Sequence, residues 1–398
     1  MSAVSYWIWL SALPIGVRAK AAVIRRFGDA EKAYFSPAGA LAVTEGVSAA
    51  EGALLEERSL QCVDEILKDC AAQGLTVLTM QDAAYPARLK QIYAPPVVLY
   101  VKGALGAIDD EAAIAVIGTR SASPYGLKMG RELAWEITSC GGLVVSGLTN
   151  GVDAAAADGA LAAGGRCIGV LGTAHEQQEG LLAAQVCEKG ALVSELPPGS
   201  RPLRRHFRDR NRISAGLSVG VLAVEAPEIS GTLLFVEEAL EQGKEIFAVP
   251  GNADAPGCRG TNSLLKQGAK PVTCGWDVMC EFAARYPDKL RKSTPAALRE
   301  PPPAAGLRTE TPPAEPKKEI DKEKGGAYID FRQQLADLSE TQLKIVSAIE
   351  KEPTHIDDIV DKTGLGAATV LTQLTLMTVK GIVRREPGNR VALNIRRR

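Results

Sequence analysis

The chain has 398 residues, 46 Lys plus Arg against 47 Asp plus Glu, and a formal charge of -1. That is room for about two to four domains, with no global field to draw the protein to DNA or a membrane, so any polyanion contact must come from a local patch. No apolar run approaches the roughly 18 residues of a membrane span, the start lacks a leader pattern, and the eight scattered cysteines form no CxxC pair; the expectation is a cytoplasmic protein with reduced thiols, no metal and no cofactor.

Residues 1–73 carry helix-period apolar positions broken by short turns, as in Trp7, Ile8 and Leu10, then Pro14 and Gly16, then Ala19, Val23, Ile24 and Phe27. They predict a small helical domain of the SAM or helix-hairpin-helix kind. Over 74–285 the pattern changes to short apolar runs at 76–79, 97–101, 113–117, 143–145, 167–171, 192–194, 220–224 and 246–249. Helix candidates lie between them at 124–140, 152–163, 178–189, 231–242 and 275–285. Repeated strand-then-helix with continuously apolar strands predicts an α/β domain built on an extended, Rossmann-like, doubly wound parallel sheet. Residues 286–335, rich in Pro, Lys, Glu and Ala, read as a disordered linker. Residues 336–398 resume helical periodicity and end in two short strand candidates around Glu386-Pro387-Gly388-Asn389, which predicts a winged helix.

Chemistry is expected at the strand ends. After the 113–117 strand comes Gly118-Thr119-Arg120, with Ser123-Pro124 as N-cap and first-turn residues of the next helix. Free amides, the helix dipole and Arg120 suit a phosphate there, and a plain tight turn would read the same way. Ser146-Gly147-Leu148-Thr149-Asn150-Gly151-Val152-Asp153 follows the next strand; its glycines allow close backbone approach, and Asp153 reads first as a helix cap. The stretch 201–212 holds six arginines and one acid in twelve residues, with Phe207 inside the run. Clustered guanidinium groups grip phosphodiester backbone by bidentate hydrogen bonds and counterion release, and an aromatic ring can take an unstacked base; a solvated or internally paired loop is the alternative. Ala248 to Asn252, with Arg259 to Asn262, is a fourth loop at the same edge. Open α/β sheets bind ligands along that edge, so the four loops are expected to converge.

With these residues the central domain resembles the DNA-processing protein A family, DprA or Smf. The resemblance lies in Gly118-Thr119-Arg120, in Ser146-Gly147-Leu148 with Gly151-Val152-Asp153, and in His206-Phe207 through Arg210-Asn211-Arg212-Ile213-Ser214 to Gly216-Leu217-Ser218. It continues in Ala239 to Glu245 and in Phe247-Ala248-Val249-Pro250-Gly251. It implies a non-catalytic protein that binds single-stranded DNA, protects incoming strands in natural transformation, loads the RecA recombinase and forms a homodimer. Carried over, Gly118, Thr119, Arg120, Ser146, Gly147, Asn150 and Gly151 line the DNA site with Arg204, Phe207, Arg208, Arg210, Asn211 and Arg212, some of them fixing its loops.

The chain departs from the family pattern at Ala157-Asp158, at Ala174 to Glu179 and at Thr232 to Val236, each near the expected groove. Leu13 to Lys20 resembles a helix-hairpin-helix entry but keeps only Gly16 of the Gly-x-Gly turn, which favours protein contact or packing over DNA. The candidate recognition helix 367–380 has one basic residue, so sequence-specific duplex reading is not expected. Two other functions fit a Rossmann-like chain: an enzyme acting on nucleotides in the manner of phosphoribohydrolases, against which Glu237 stands five residues after Thr232 rather than three, and an interaction scaffold.

Overall fold

The computed structural model describes residues 2–293, 340–349 and 354–366, then Thr369, Val370, Gln373, Leu374 and Met377, and finally 383–386 and 390–393. The chain divides into two compact units, residues 1–307 and 308–398.

In the larger unit, five helices come first: α1 (Ala3–Ala12), α2 (Val17–Phe27), α3 (Ala30–Tyr34), α4 (Ala49–Glu56) and α5 (Val63–Gln73). The sheet is then laid down as β1 (Thr76–Thr79), β2 (Val98–Gly103), β3 (Ala113–Ile117), β4 (Leu143–Ser146), β5 (Cys167–Val170), β6 (Ala191–Ser194), β7 (Gly220–Ala223), β8 (Glu245–Ala248) and β9 (Lys270–Pro271). Between the strands lie α6 (Ala87–Lys90), α7 (Pro124–Ser139), α8 (Val152–Ala162), α9 (Leu181–Lys189), α10 (Arg204–Leu217), α11 (Gly231–Glu241) and α12 (Arg259–Lys266), and α13 (Gly275–Met279) follows β9.

The spatial order is β1-β2-β6-β5-β4-β3-β7-β8-β9. From β6 to β9 every neighbouring pair is parallel, as the continuous apolar runs require; β2 runs antiparallel to both β1 and β6, which makes the sheet mixed. The sequence pattern shows burial but not strand direction, so this edge was illegible in it.

Strand β3 is buried throughout, and its alternation assigns the two cores. Ile114 and Val116 face a layer of α7, α8, α9 and α13, while Ala113, Ala115 and Ile117 face α6, α10, α11 and α12. The N-terminal helices build a third core around Trp7, Trp9 and Leu41, and take Val97, Val98 and Tyr100 of the β2 region into it. The Tyr100 hydroxyl shares a hydrogen bond of 2.8 Å with Ser11 Oγ, so helical region and sheet are joined through the antiparallel edge. The expected linker starts later than residue 286, because Tyr286 and Leu290 are buried in the α7–α8 core; its stretch 294–335 lies outside the described residues.

The smaller unit has helices Glu340–Ala348 and Ile356–Thr363 and a sheet ordered β10 (Thr354–His355), β12 (Arg390–Leu393), β11 (Val383–Glu386). Its own core contains Ile345, Ile359, Val370, Leu374 and Val391. These are the parts of a winged helix. Of the candidate recognition helix, Thr369, Val370, Gln373, Leu374 and Met377 are helical, and the rest of it lies outside the described residues.

Candidate nucleic-acid interface

Sequence order runs outward from β3 to β6 on one side and from β7 to β9 on the other, so the topological switch point lies between β3 and β7. A cleft of about 400 Å³ opens there. Gly118, Thr119 and Arg120 line it from the end of β3, Thr149 and Asp153 from the β4–α8 turn, Phe207, Arg208, Arg210 and Asn211 from α10, and Ser230, Gly231, Thr232 and Leu234 from the start of α11.

The arginine run is a helix and not a loop. Residues 204–217 place Ile213, Ala215 and Leu217 against the sheet, which is the helical period hidden behind the charges. Because α10 follows β6 and precedes β7, its N-terminal half stands at the carboxyl edge of the sheet. Arg204 and Arg205 occupy its first turn without any acid, where cations oppose the helix dipole.

Helical rotation then divides the arginines. Arg204, Arg205 and Arg208 are exposed, whereas Arg210 and Arg212 are 7% and 5% exposed. Arg212 Nη2 donates to both oxygens of Glu195 at 2.6 and 2.7 Å, and Nη1 donates to the Asp209 carbonyl at 2.7 Å. A guanidinium held in this way has no free face for a phosphate, so Arg212 is corrected from a groove contact to a brace between α10 and the end of β6. Arg210 reaches the cleft wall but donates to the Val170 carbonyl at 3.2 Å and lies beside Asp153 across Gly147. A Cβ at Gly147 would overlap both side chains, which is why only glycine fits between β4 and that pair.

Burial pushes the Asp153 carboxyl up, while Arg210, a hydrogen bond from Thr149 and Arg120 pull it down. The same burial lowers Arg210, with Asp153 opposing and Arg120 adding to the effect. Asp153 therefore is no simple cap: the α8 N-cap is Gly151, at φ 83°, and Asp153 instead accepts from Thr149 Oγ1 at 3.0 Å.

Arg120 is exposed, and its guanidinium sits 5.0 Å from the centroid of the Phe207 ring. The ring also packs on Gly172, where a Cβ would come within 2.8 Å of it. The platform expected for a base is thus already partly covered by Arg120.

The anticipated phosphate position at the start of α7 is filled by the protein itself. Glu225, buried just after β7, accepts from the Ser123 amide at 2.9 Å and from its hydroxyl at 3.1 Å, and its carbonyl accepts from the Thr119 amide at 2.8 Å. The carboxylate holds the N-cap Ser123 through its amide and hydroxyl, and Ser123 Oγ in turn accepts from the Gly126 amide at 3.1 Å, so the protein's own groups engage this turn. The start of α11 is different: Ser230 makes no side-chain cap, its Oγ has no partner among the described residues, and Gly231 faces open space. In the sequence Thr232 to Val236 stands out only as a departure near the groove, and Ser230, Gly231, Thr232 and Leu234 are not placed in the DNA site; their position after β7, at the same sheet edge as Gly118, is the available signal.

Other candidates lie off the cleft. Ser146 is buried, donating to the Asp153 carbonyl at 2.8 Å and accepting from the Leu148 amide at 3.1 Å, which holds the turn. Gly147 and Gly151 shape that turn; Asn150 is exposed on it, and Arg204 is exposed beyond the rim. The fourth loop does not converge: Asn262 closes it onto Gly251 with reciprocal bonds of 3.1 and 3.0 Å. Two of the departures are structural: Ala157 is fully buried with Asp158 paired to Arg131 at 2.5 Å, and His175 is buried against the Tyr100 carbonyl at 2.8 Å. At the helix-hairpin-helix entry, the Gly16 amide donates to Glu51 at 2.9 Å, so this helix start too is sealed by a carboxylate.

A doubly wound, Rossmann-like domain with a cationic cleft at its switch point, carried with a separate winged helix, is the class that fold and site define. The DNA recombination-mediator protein A family model matches residues 76–283, and a DprA winged helix domain model matches 330–389. The chain belongs to the DNA recombination-mediator protein A (DprA/Smf) family. It is 38% identical over 217 residues to the DNA processing protein DprA of Bacillus subtilis, covering 54% of this chain and 73% of that one. With the Smf protein of Synechocystis it shares 31% identity over 344 residues, covering 82% of each. The X-ray structure of DNA processing protein A from Streptococcus pneumoniae superposes with a TM-score of 0.60 at 31% identity, over 70% of this chain and 97% of that one.

Proposed function

We propose that the cleft between β3 and β7 binds single-stranded DNA, and that the protein is a non-catalytic cytoplasmic recombination mediator. In this reading it protects incoming strands during natural transformation and loads RecA onto them, acting as a homodimer. The observation that carries it is the convergence of Arg120, Arg208, Phe207 and Asn211 on one cleft at the switch point, beside the open start of α11. Exposed guanidinium groups, one of them over an aromatic ring, fit a flexible phosphodiester better than a small nucleotide, because successive phosphates can be met along the groove. Family membership and the DNA-processing names of the relatives support the same direction.

The test is fluorescence anisotropy of a labelled oligo(dT) against a matched duplex across a salt series. Single-strand preference with steep weakening in salt is expected, and Arg120→Ala with Arg208→Ala should lower affinity about a hundredfold if each loses on the order of 1.4 kcal/mol. Unchanged binding in that double variant overturns the cleft assignment. Against the nucleotide-hydrolase reading, Glu237 stands five residues after Thr232 rather than three; release of free base from nucleoside monophosphates by the pure protein would restore it.

A further inference from the structure

A second cavity, of about 240 Å³, lies on the opposite side of α10 from the DNA cleft, between the α1–α2 turn and the segment that follows β6. Its walls are apolar on both sides, Leu13 and Ile15 from the helical region and Leu171, Pro197 and Ile213 from the sheet domain. Polar groups also line it, and several of them are incompletely used. Lys20, 9% exposed, points its ammonium at the Ser11 carbonyl and forms no ion pair among the described residues, so two of its three N–H donors are unspent. His206 Nδ1 is buried with no partner among the described residues. Asp209 is half-buried, and its carboxylate accepts no hydrogen bond there, while Glu195 is fully engaged by Arg212. Arg201 and Arg205 are exposed at the mouth.

A buried ammonium with spare donors is costly unless an acceptor meets it. Burial, opposed by Glu195, brings Lys20 down to about 8. The space is smaller than a drug-sized pocket, which excludes a peptide segment or a duplex. Apolar walls select a ring, Lys20 and Asp209 lining the same cavity select one that offers an acceptor and a donor on its edge, and the two arginines at the mouth select a phosphate beyond it. We propose that this cavity is a nucleotide site that takes the base of a nucleoside phosphate, with Lys20 donating to its carbonyl oxygen and Asp209 accepting from its N–H. The nucleotide is either free or part of a bound DNA strand. Arg210 borders both cavities, but Lys20 and Asp209 line this one and not the cleft, so substitution at Lys20 tests this site separately from the cleft.

The test uses the full chain. Calorimetric titration with dTMP, dCMP and dGMP should show saturable binding that weakens about tenfold in Lys20→Met, the loss of one hydrogen bond to a charged donor. If oligo(dT) affinity also falls in Lys20→Met, and a central abasic site in the oligonucleotide produces no further loss in that variant, the strand is the source; if only the mononucleotides lose affinity, the free nucleotide is. Arg120→Ala measured on oligo(dT) beside it reports on the cleft alone. Should Lys20→Met fail to fold, acetylation of Lys20 in the unaltered protein, followed by mass spectrometry, is slowed by dTMP or by oligo(dT) when the site is real. An unchanged acetylation rate with both ligands, or a folded Lys20→Met that binds mononucleotides and oligonucleotides as the parent does, overturns the proposal.

Discussion

Five of the six arginines, alike in sequence, meet three different fates once α10 is formed, and substitution should separate them. Arg212 is buried and bidentate with Glu195, so Arg212→Ala strands a carboxylate and is expected to lower unfolding free energy by about 3–5 kcal/mol in urea melts. Arg208 is exposed; Arg208→Ala should leave stability within about 0.5 kcal/mol while weakening oligo(dT) binding. A large stability loss in Arg208→Ala, or none in Arg212→Ala, would contradict this division of labour. Arg210 lies between these cases, lining the cleft while paired by position with Asp153.

Lys20 gives a residue-scale signature in pH. Burial lowers it from 10.5 to about 8, so between those values the unfolded chain binds more protons than the folded one and stability rises with pH. Below pH 8 the folded protein bears the full cost of a buried ammonium, and above 10.5 that cost is gone; the span is worth about 3 kcal/mol. Urea melts from pH 7.5 to 10.5 should therefore show an upward trend in the parent that is reduced in Lys20→Met. Equal slopes in the two proteins would mean that Lys20 is not desolvated in the fold.

At the level of elements, the start of a helix is decided by what already occupies it. Ser123-Pro124 announced α7 correctly, but the Ser123 amide is taken by Glu225 from the segment after β7, and the Gly16 amide at the start of α2 by Glu51 from α4. Glu225→Gln should loosen the Ser123 turn and cost about 1–3 kcal/mol, read by denaturant unfolding, since a charge-assisted acceptor is replaced by a weaker one. Helix α10 carries the opposite bias: Arg204 and Arg205 sit where a helix prefers acids. Arg204→Glu is expected to leave stability equal or slightly raised, by up to about 1 kcal/mol, while weakening single-strand binding. Such a trade marks a residue kept for binding rather than for folding; a variant that loses stability and keeps affinity would reverse that interpretation.

For the whole molecule, a net charge of -1 means that attraction to a polyanion is local and easily screened. Arg120, Arg204 and Arg208 are the exposed guanidinium groups at or near the cleft, so about three phosphates should be neutralised and the logarithm of the single-strand association constant should fall with log salt at a slope of about -2. A slope near zero in the salt series would remove the electrostatic basis of the interface. The winged-helix unit has a hydrophobic core of its own, separate from the three cores of the larger unit.

The sequence by itself determined the local terms. Short apolar runs marked β1 to β8, Gly and Pro marked the turns, helical periodicity marked both ends of the chain, and the spacing of Gly118-Thr119-Arg120 and of 206–218 carried the family. These are short-range signals, in which a few neighbouring residues fix backbone conformation and one buried face. What the tertiary structure alone decided is which charged groups find a partner: Arg212 with Glu195, Ser123 with Glu225, Gly16 with Glu51, and Gly231 at the α11 start left facing the cleft. Those pairings join residues distant in sequence, and the free energy of a buried charge depends on what stands beside it in space, so the pattern of residue types in the run 201–212 could not separate the arginines that brace the fold from those free to meet DNA.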